Sequence, residues 1–139
     1  MADKQDYSVR IRRVADYEEN ADNPVSHPVA NLRAVLDSVS KIGAARSGVS
    51  SKGKKLLAGN LTKQAMLEAG IEEVIEITTN GKQWVIVNRD DLTLEQEQYY
   101  SVADERSSEM AEWDAAQLAE IVNLLKDTPL DTTALFDDN

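Results

Sequence analysis

The chain has 139 residues, 42% of them hydrophobic and 29% charged, the length and composition of one globular domain with a true core. With no cysteine and a single histidine, His27, it is excluded from disulfides, thiolate metal centres, cysteine nucleophiles and multi-histidine metal sites. A net charge of −10 argues against a surface that grips nucleic-acid phosphates all round. No apolar run approaches the roughly 18 residues of a membrane span, and the first residues carry no apolar leader stretch, so the expectation is a cytoplasmic protein without a membrane partner.

The charge is unevenly spread. Residues 1–89 carry 13 Lys and Arg against 11 Asp and Glu, whereas residues 90–139 carry 2 against 14. Such a split suggests a mildly basic working half and an acidic half that repels nucleic acid, mimics it or addresses a basic partner.

In chain order, residues 1–7 are expected to be a flexible N-terminus. Ser8 to Val14 alternates apolar and basic residues as a half-buried edge strand does. Asn23-Pro24 and His27-Pro28 punctuate the chain before a helix to about Lys41. Its apolar stripe is Val29, Leu32, Val35, Leu36 and Val39, and Gly43 is its left-handed stop. A weak strand after Arg46-Ser47 and a loop around Gly53 lead into Leu56-Leu57-Ala58, which breaks at Gly59 and runs directly into a helix over about residues 61–69, closed by Gly70. Val74–Thr79 and Lys82–Val87 flank Asn80-Gly81, a strong hairpin signal. Thr93 with Gln96 and Asp114 with Gln117 have the spacing of capping boxes, opening helices through about Glu109 and Lys126. Residues 127–139 form an acidic tail expected to be mobile.

A strand that ends in glycine and enters a helix at once presents several backbone N–H groups at the positive end of the helix dipole, where an anion is favoured. Leu57-Ala58-Gly59-Asn60-Leu61-Thr62-Lys63 has that form, with Gly59 permitting close approach, Asn60 or Thr62 able to cap and donate, and Lys63 adding positive charge. The same spacing also fits an ordinary capped turn. The acid pairs Glu18-Glu19 and Glu72-Glu73 read as solvated, and Trp84 and Trp113 as packing anchors.

The ordered series Asn23-Pro24, Gly43-Ala44-Ala45-Arg46-Ser47, Leu57-Ala58-Gly59-Asn60, Gly70-Ile71, Asp91-Leu92-Thr93, Ala103-Asp104-Glu105-Arg106 and Glu112-Trp113-Asp114 resembles the ParB N-terminal-like domain of the ParB/sulfiredoxin-like superfamily. The similarity is closest to the phage and mobile-element branch labelled ParB-like nuclease. The resemblance implies an α/β (α+β) fold over residues 8–126, a small mixed sheet with packed helices followed by two C-terminal helices. It implies a nucleotide pocket for CTP or ATP with magnesium, in which Arg46, Ser47, Gly59, Asn60, Thr62, Lys63 and Arg106 contact the nucleotide while Asp104 and Glu105 hold the metal.

The resemblance implies a nucleotide partner; the charge split adds the expectations of DNA at the N-terminal half and a protein at the acidic C-terminal half, and a homodimer is a further expectation, in the host cytoplasm if phage-encoded. No catalytic residue is assigned; if the chain is an enzyme, nucleotide hydrolase or metal-dependent nuclease is the class. Partition proteins carry arginines where this chain has Leu61-Thr62-Lys63, and the family's asparagine is replaced by Glu105. Sulfiredoxin activity is excluded because its cysteine is absent. The alternative is a non-catalytic acidic interaction protein that kept the fold.

Overall fold

A computed structural model describes residues 6–22, 24–26, 29–110 and 112–136; the side chains at 25, 26, 105, 107–110 and 112 fall outside that description. The expectations placed on Asn23, His27 and Pro28, and on the side chain of Glu105, therefore lie outside the described residues.

The fold is mixed α+β. Strand β1 (Tyr7–Arg13) precedes a 3-10 turn at Val14–Asp16, the short strands β2 (Glu18–Glu19) and β3 (Val25–Ser26), and helix α1 (Val29–Ile42). Strands β4 (Val49–Ser50) and β5 (Lys55–Ala58), helix α2 (Asn60–Glu68) and strand β6 (Glu73–Thr79) follow. Helix α3 (Leu94–Met110), strand β7 (Glu112–Trp113), helix α4 (Ala115–Leu125) and a 3-10 turn (Thr133–Phe136) complete the chain. Three small sheets result: β1 with β6, the order β2-β5-β4, and β3 with β7. Among the described residues no helix is long and apolar enough to cross a membrane.

Local chemistry sets the helix ends. Thr93 N–H donates to Gln96 Oε1 at 2.8 Å and Gln96 N–H to Thr93 Oγ1 at 3.2 Å, closing the expected capping box at α3. At α4, Gln117 N–H donates to Asp114 Oδ1 at 3.0 Å. Gly43, at φ +79°, ends α1 in the left-handed conformation that glycine adopts without cost.

The core gathers Val14 from the turn after β1, Val39 from α1, and Ala65 and Met66 from α2, with Leu32, Val35, Leu36, Ile71 and Val74 packed against them. Each Val, Leu, Ile or Met side chain of this set contributes about 1.5–3 kcal/mol on full burial. Helix α1 thus lies between α2 and α3. The stripe read from the sequence is the buried one, except that Val29 at its start is exposed.

The hairpin expected at Asn80-Gly81 does not form. Strand β6 exists as far as Thr79, but its partner is β1, in antiparallel register from Tyr7↔Thr79 to Arg13↔Glu73, and residues 82–87 form no strand. A two-residue hairpin turn needs positive φ at both central residues. Among the described residues only Lys54 and Asp127 are left-handed non-glycines, so Asn80 does not meet that need. Its side-chain oxygen instead accepts from Lys82 N–H at 3.0 Å, a local bond that competes with the ladder. Trp84, expected as a packing anchor, is 88% exposed as a consequence. Tyr7 joins the ladder rather than the N-terminal tail, and residues 127–136 form turns in which Phe136 meets the Trp113 ring edge-on at 5.8 Å.

Candidate functional site

The turn into α2 depends on two glycines. Gly59 has φ +99°, and a Cβ there would lie 3.1 Å from the Cα of Gly48. A Cβ on Gly48 would lie 2.9 Å from the Ala58 carbonyl oxygen. The residue before β4, which pairs antiparallel with β5, therefore lies against the turn at backbone contact and leaves no room for a side chain at either glycine. The N–H groups of Asn60, Leu61 and Thr62 belong to the first turn, which has no intrahelical acceptors, whereas Lys63 N–H already donates to Gly59 O at 2.8 Å.

Beside this turn a small cavity of about 30 Å³ opens between α1, α2 and α3, room for one or two waters. Val35, Val39 and Met66 give it an apolar floor, and Arg46, Thr62, Tyr100 and Asp104 bring polar groups to it. Three residues singled out from separate stretches of sequence, Arg46, Thr62 and Asp104, thus meet at one place. The Arg46 guanidinium pairs with Asp104 Oδ1 at 2.6 Å, both side chains about 40% exposed. Tyr100 Oη donates to the same carboxylate oxygen at 3.4 Å. Burial raises the Tyr100 phenol, the Asp104 charge adds to that, and Arg46 opposes it.

The other expected contacts are placed differently. Asn60 ties the turn to the strand-following loop: its Oδ1 accepts from Asn20 N–H at 3.0 Å, and its Nδ2 donates to Leu56 O at 3.4 Å. Lys63 Nζ donates to the Tyr17 carbonyl at 2.7 Å, so its charge is spent on the chain's own backbone. Ser47 and Arg106 are exposed, and Arg106 has a partner of its own. For the metal, Asp104 presents its carboxylate to Arg46, and among the described residues no three acidic or histidine side chains gather.

Two features went unnoticed in the sequence. Tyr100 is four residues before Asp104, the spacing that puts both on one helix face. The second feature is a polar centre at Glu76 on β6. There Tyr17 Oη donates at 2.5 Å, Arg12 Nε at 3.3 Å, and Lys54 Nζ pairs at 3.3 Å. The Tyr17 bond, aided by Lys54 and Arg12 against partial burial, holds the Glu76 carboxyl down at about 2. Burial first, and Glu76 second, push the Tyr17 phenol up to about 12. The centre locks β1, β6 and the β4–β5 loop together behind the turn.

Charge focuses on the same region. In a chain of net −10, residues 38–67 contain Lys41, Arg46, Lys52, Lys54, Lys55 and Lys63 and no acidic residue. Comparison with family models, with curated proteins and with solved structures gives no match for this chain.

Proposed function

We propose that the chain is a ParB-like module that binds the phosphates of a nucleotide at the Gly59 turn and serves DNA transactions of a phage or mobile element. The observation that supports this most is the convergence of Arg46, Thr62 and Asp104 on one cavity beside a glycine turn inside the acid-free segment 38–67. An ion pair as exposed as Arg46 with Asp104 is worth at most about 1 kcal/mol. A phosphate that gains charge-assisted bonds from both the guanidinium and the α2 backbone outweighs it. The cavity has room for only one or two waters, so a phosphate would sit at its mouth, with base and ribose outside it. With Asp104 as the described carboxylate at the cavity, magnesium would be held by that group together with the nucleotide's own phosphates. Hydrolysis of the bound nucleotide, or weak nuclease action, is the reaction class that belongs to this reading.

A second reading has its own support. Lys63 is engaged by the Tyr17 carbonyl and Arg46 by Asp104, while residues 90–139 carry 14 acidic against 2 basic residues. On this reading the chain is a non-catalytic interaction protein whose acidic half binds a host or phage protein.

Thermal unfolding separates the two. Under the first reading, one of CTP, ATP or GTP with magnesium stabilises the chain by about 2.7 kcal/mol at a hundredfold excess over its dissociation constant, and Arg46→Ala abolishes the shift without lowering the unliganded stability by more than about 1 kcal/mol. No shift with any nucleotide leaves the acidic interaction protein.

A further inference from the structure

The β1–β6 ribbon is amphipathic the wrong way round for a strand pair that packs only on its own core. On one face lie Ser8, Arg10 and Arg12 with Thr78, Glu76 and Val74, and of these only Val74 joins the core. The opposite face carries Tyr7, Val9 and Ile11 against Thr79, Ile77 and Ile75, and closes at one end with Arg13 in register with Glu73, its exposed guanidinium loosely paired with Glu72 of the same chain at 3.9 Å. That aliphatic face is open: Val9 is 54%, Ile11 61% and Ile75 70% exposed. Two-stranded ribbons are marginal in water unless a face is packed, and a contiguous exposed aliphatic face marks an interaction surface.

We infer that this face packs against the same face of a second copy of the chain, about a twofold axis parallel to the strands. Such an axis sets β1 of one copy over β6 of the other at the same height, because register partners share a level. Ile11 then meets the other copy's Ile75, and Val9 its Ile77. Arg13 lies over the other copy's Glu73, and the symmetry repeats that charge pair. A twofold axis across the strands would instead set Arg13 over Tyr7 and forfeit both pairs. The charge pattern thus selects both the occupant and the orientation.

The ribbon face measures roughly 24 Å by 10 Å from strand rise and spacing, well below the approximately 800 Å² per partner of a standard interface. The dimer is therefore of the weak, concentration-dependent class. The inference is independent of nucleotide binding.

Sedimentation equilibrium of the full chain over a concentration series tests it. The expected result is a mass that rises from 15.4 kDa toward twice that value. Ile11→Lys keeps the wild-type circular dichroism and stays monomeric. Arg13→Glu and Glu73→Arg each weaken dimerisation about tenfold, the equivalent of 1.4 kcal/mol. An equimolar mixture of these two variants recovers dimers, since each then faces its opposite charge across the interface, a rescue that no effect on folding produces. A chain that stays monomeric throughout, or a dimer indifferent to all three substitutions, overturns the proposal.

Discussion

The body formed by β1, β6 and α1 to α3 and the lobe formed by β7, α4 and the final turn are held by different physics. The body closes on Val14, Val39, Ala65 and Met66. The lobe buries no residue of α4. Among the described residues it is joined to the rest by the two-residue β3–β7 ladder and by Asp114 N–H donating to the Pro24 carbonyl at 2.7 Å, and it keeps its own small apolar contact between Trp113 and Phe136. Apolar burial makes the body a cooperative unit, whereas a few directional bonds leave the lobe free to open on its own.

The comparison can be broken from the strong side first. Met66→Ala empties part of the core and should cost about 2–5 kcal/mol, read as a fall in the global unfolding midpoint. Next comes Gly59→Val, which forces a β-branched residue to φ +99° and against Gly48. It should cost about 1–3 kcal/mol from backbone strain alone, with loss of any nucleotide shift. Asp114→Ala should cost about 1 kcal/mol by removing the α4 cap, and hydrogen exchange should show the loss confined to α4. If the body's amides quicken equally, the two regions are one cooperative unit and the distinction fails. Phe136→Ala should cost about 0.5–1 kcal/mol, again within the lobe.

The gentlest handle is pH. Glu76 has its carboxyl lowered from 4.5 to about 2, so its contribution is present above pH 4.5 and is lost as pH falls through 4.5 toward 2. Tyr17 has its phenol raised from 10 to about 12, so its contribution is present below pH 10 and is lost as pH rises through that value toward 12. Melting temperature measured against pH should be flat for these groups between the two limits, and Glu76→Gln should flatten the acid limb.

What the sequence made legible was what depends on near neighbours. Thr93 with Gln96, Asp114 with Gln117, and the glycine stops after α1 and α2 are settled within a turn of chain, and they stand where the spacing puts them. The Asn80-Gly81 reading failed for a local reason too, since one asparagine oxygen prefers Lys82 N–H to a ladder that would need φ above zero. The α+β class agrees with the sequence reading, and Arg46, Thr62 and Asp104 line one cavity, but Gly48, Tyr17 and Glu76 carried no local signal. Gly48 matters only because the β4–β5 pairing brings it against Gly59, and Glu76 looked like any acidic residue of a half-exposed strand until Arg12, Tyr17 and Lys54 were folded around it.

The β1–β6 ladder joins distant parts of the chain, and this bears on the order of assembly. Arg12 and Glu76, bridged across it, are 64 positions apart, so the ladder closes a long loop whose entropy must be overcome before its bonds return anything. Helices α1 and α2 form and dock on one another within that loop. During synthesis β1 leaves the ribosome well before β6 exists, an aliphatic and basic strand with nothing to pair with until about 60 further residues have followed it, so the ladder is the long-range, slow-forming kind of contact rather than the local kind.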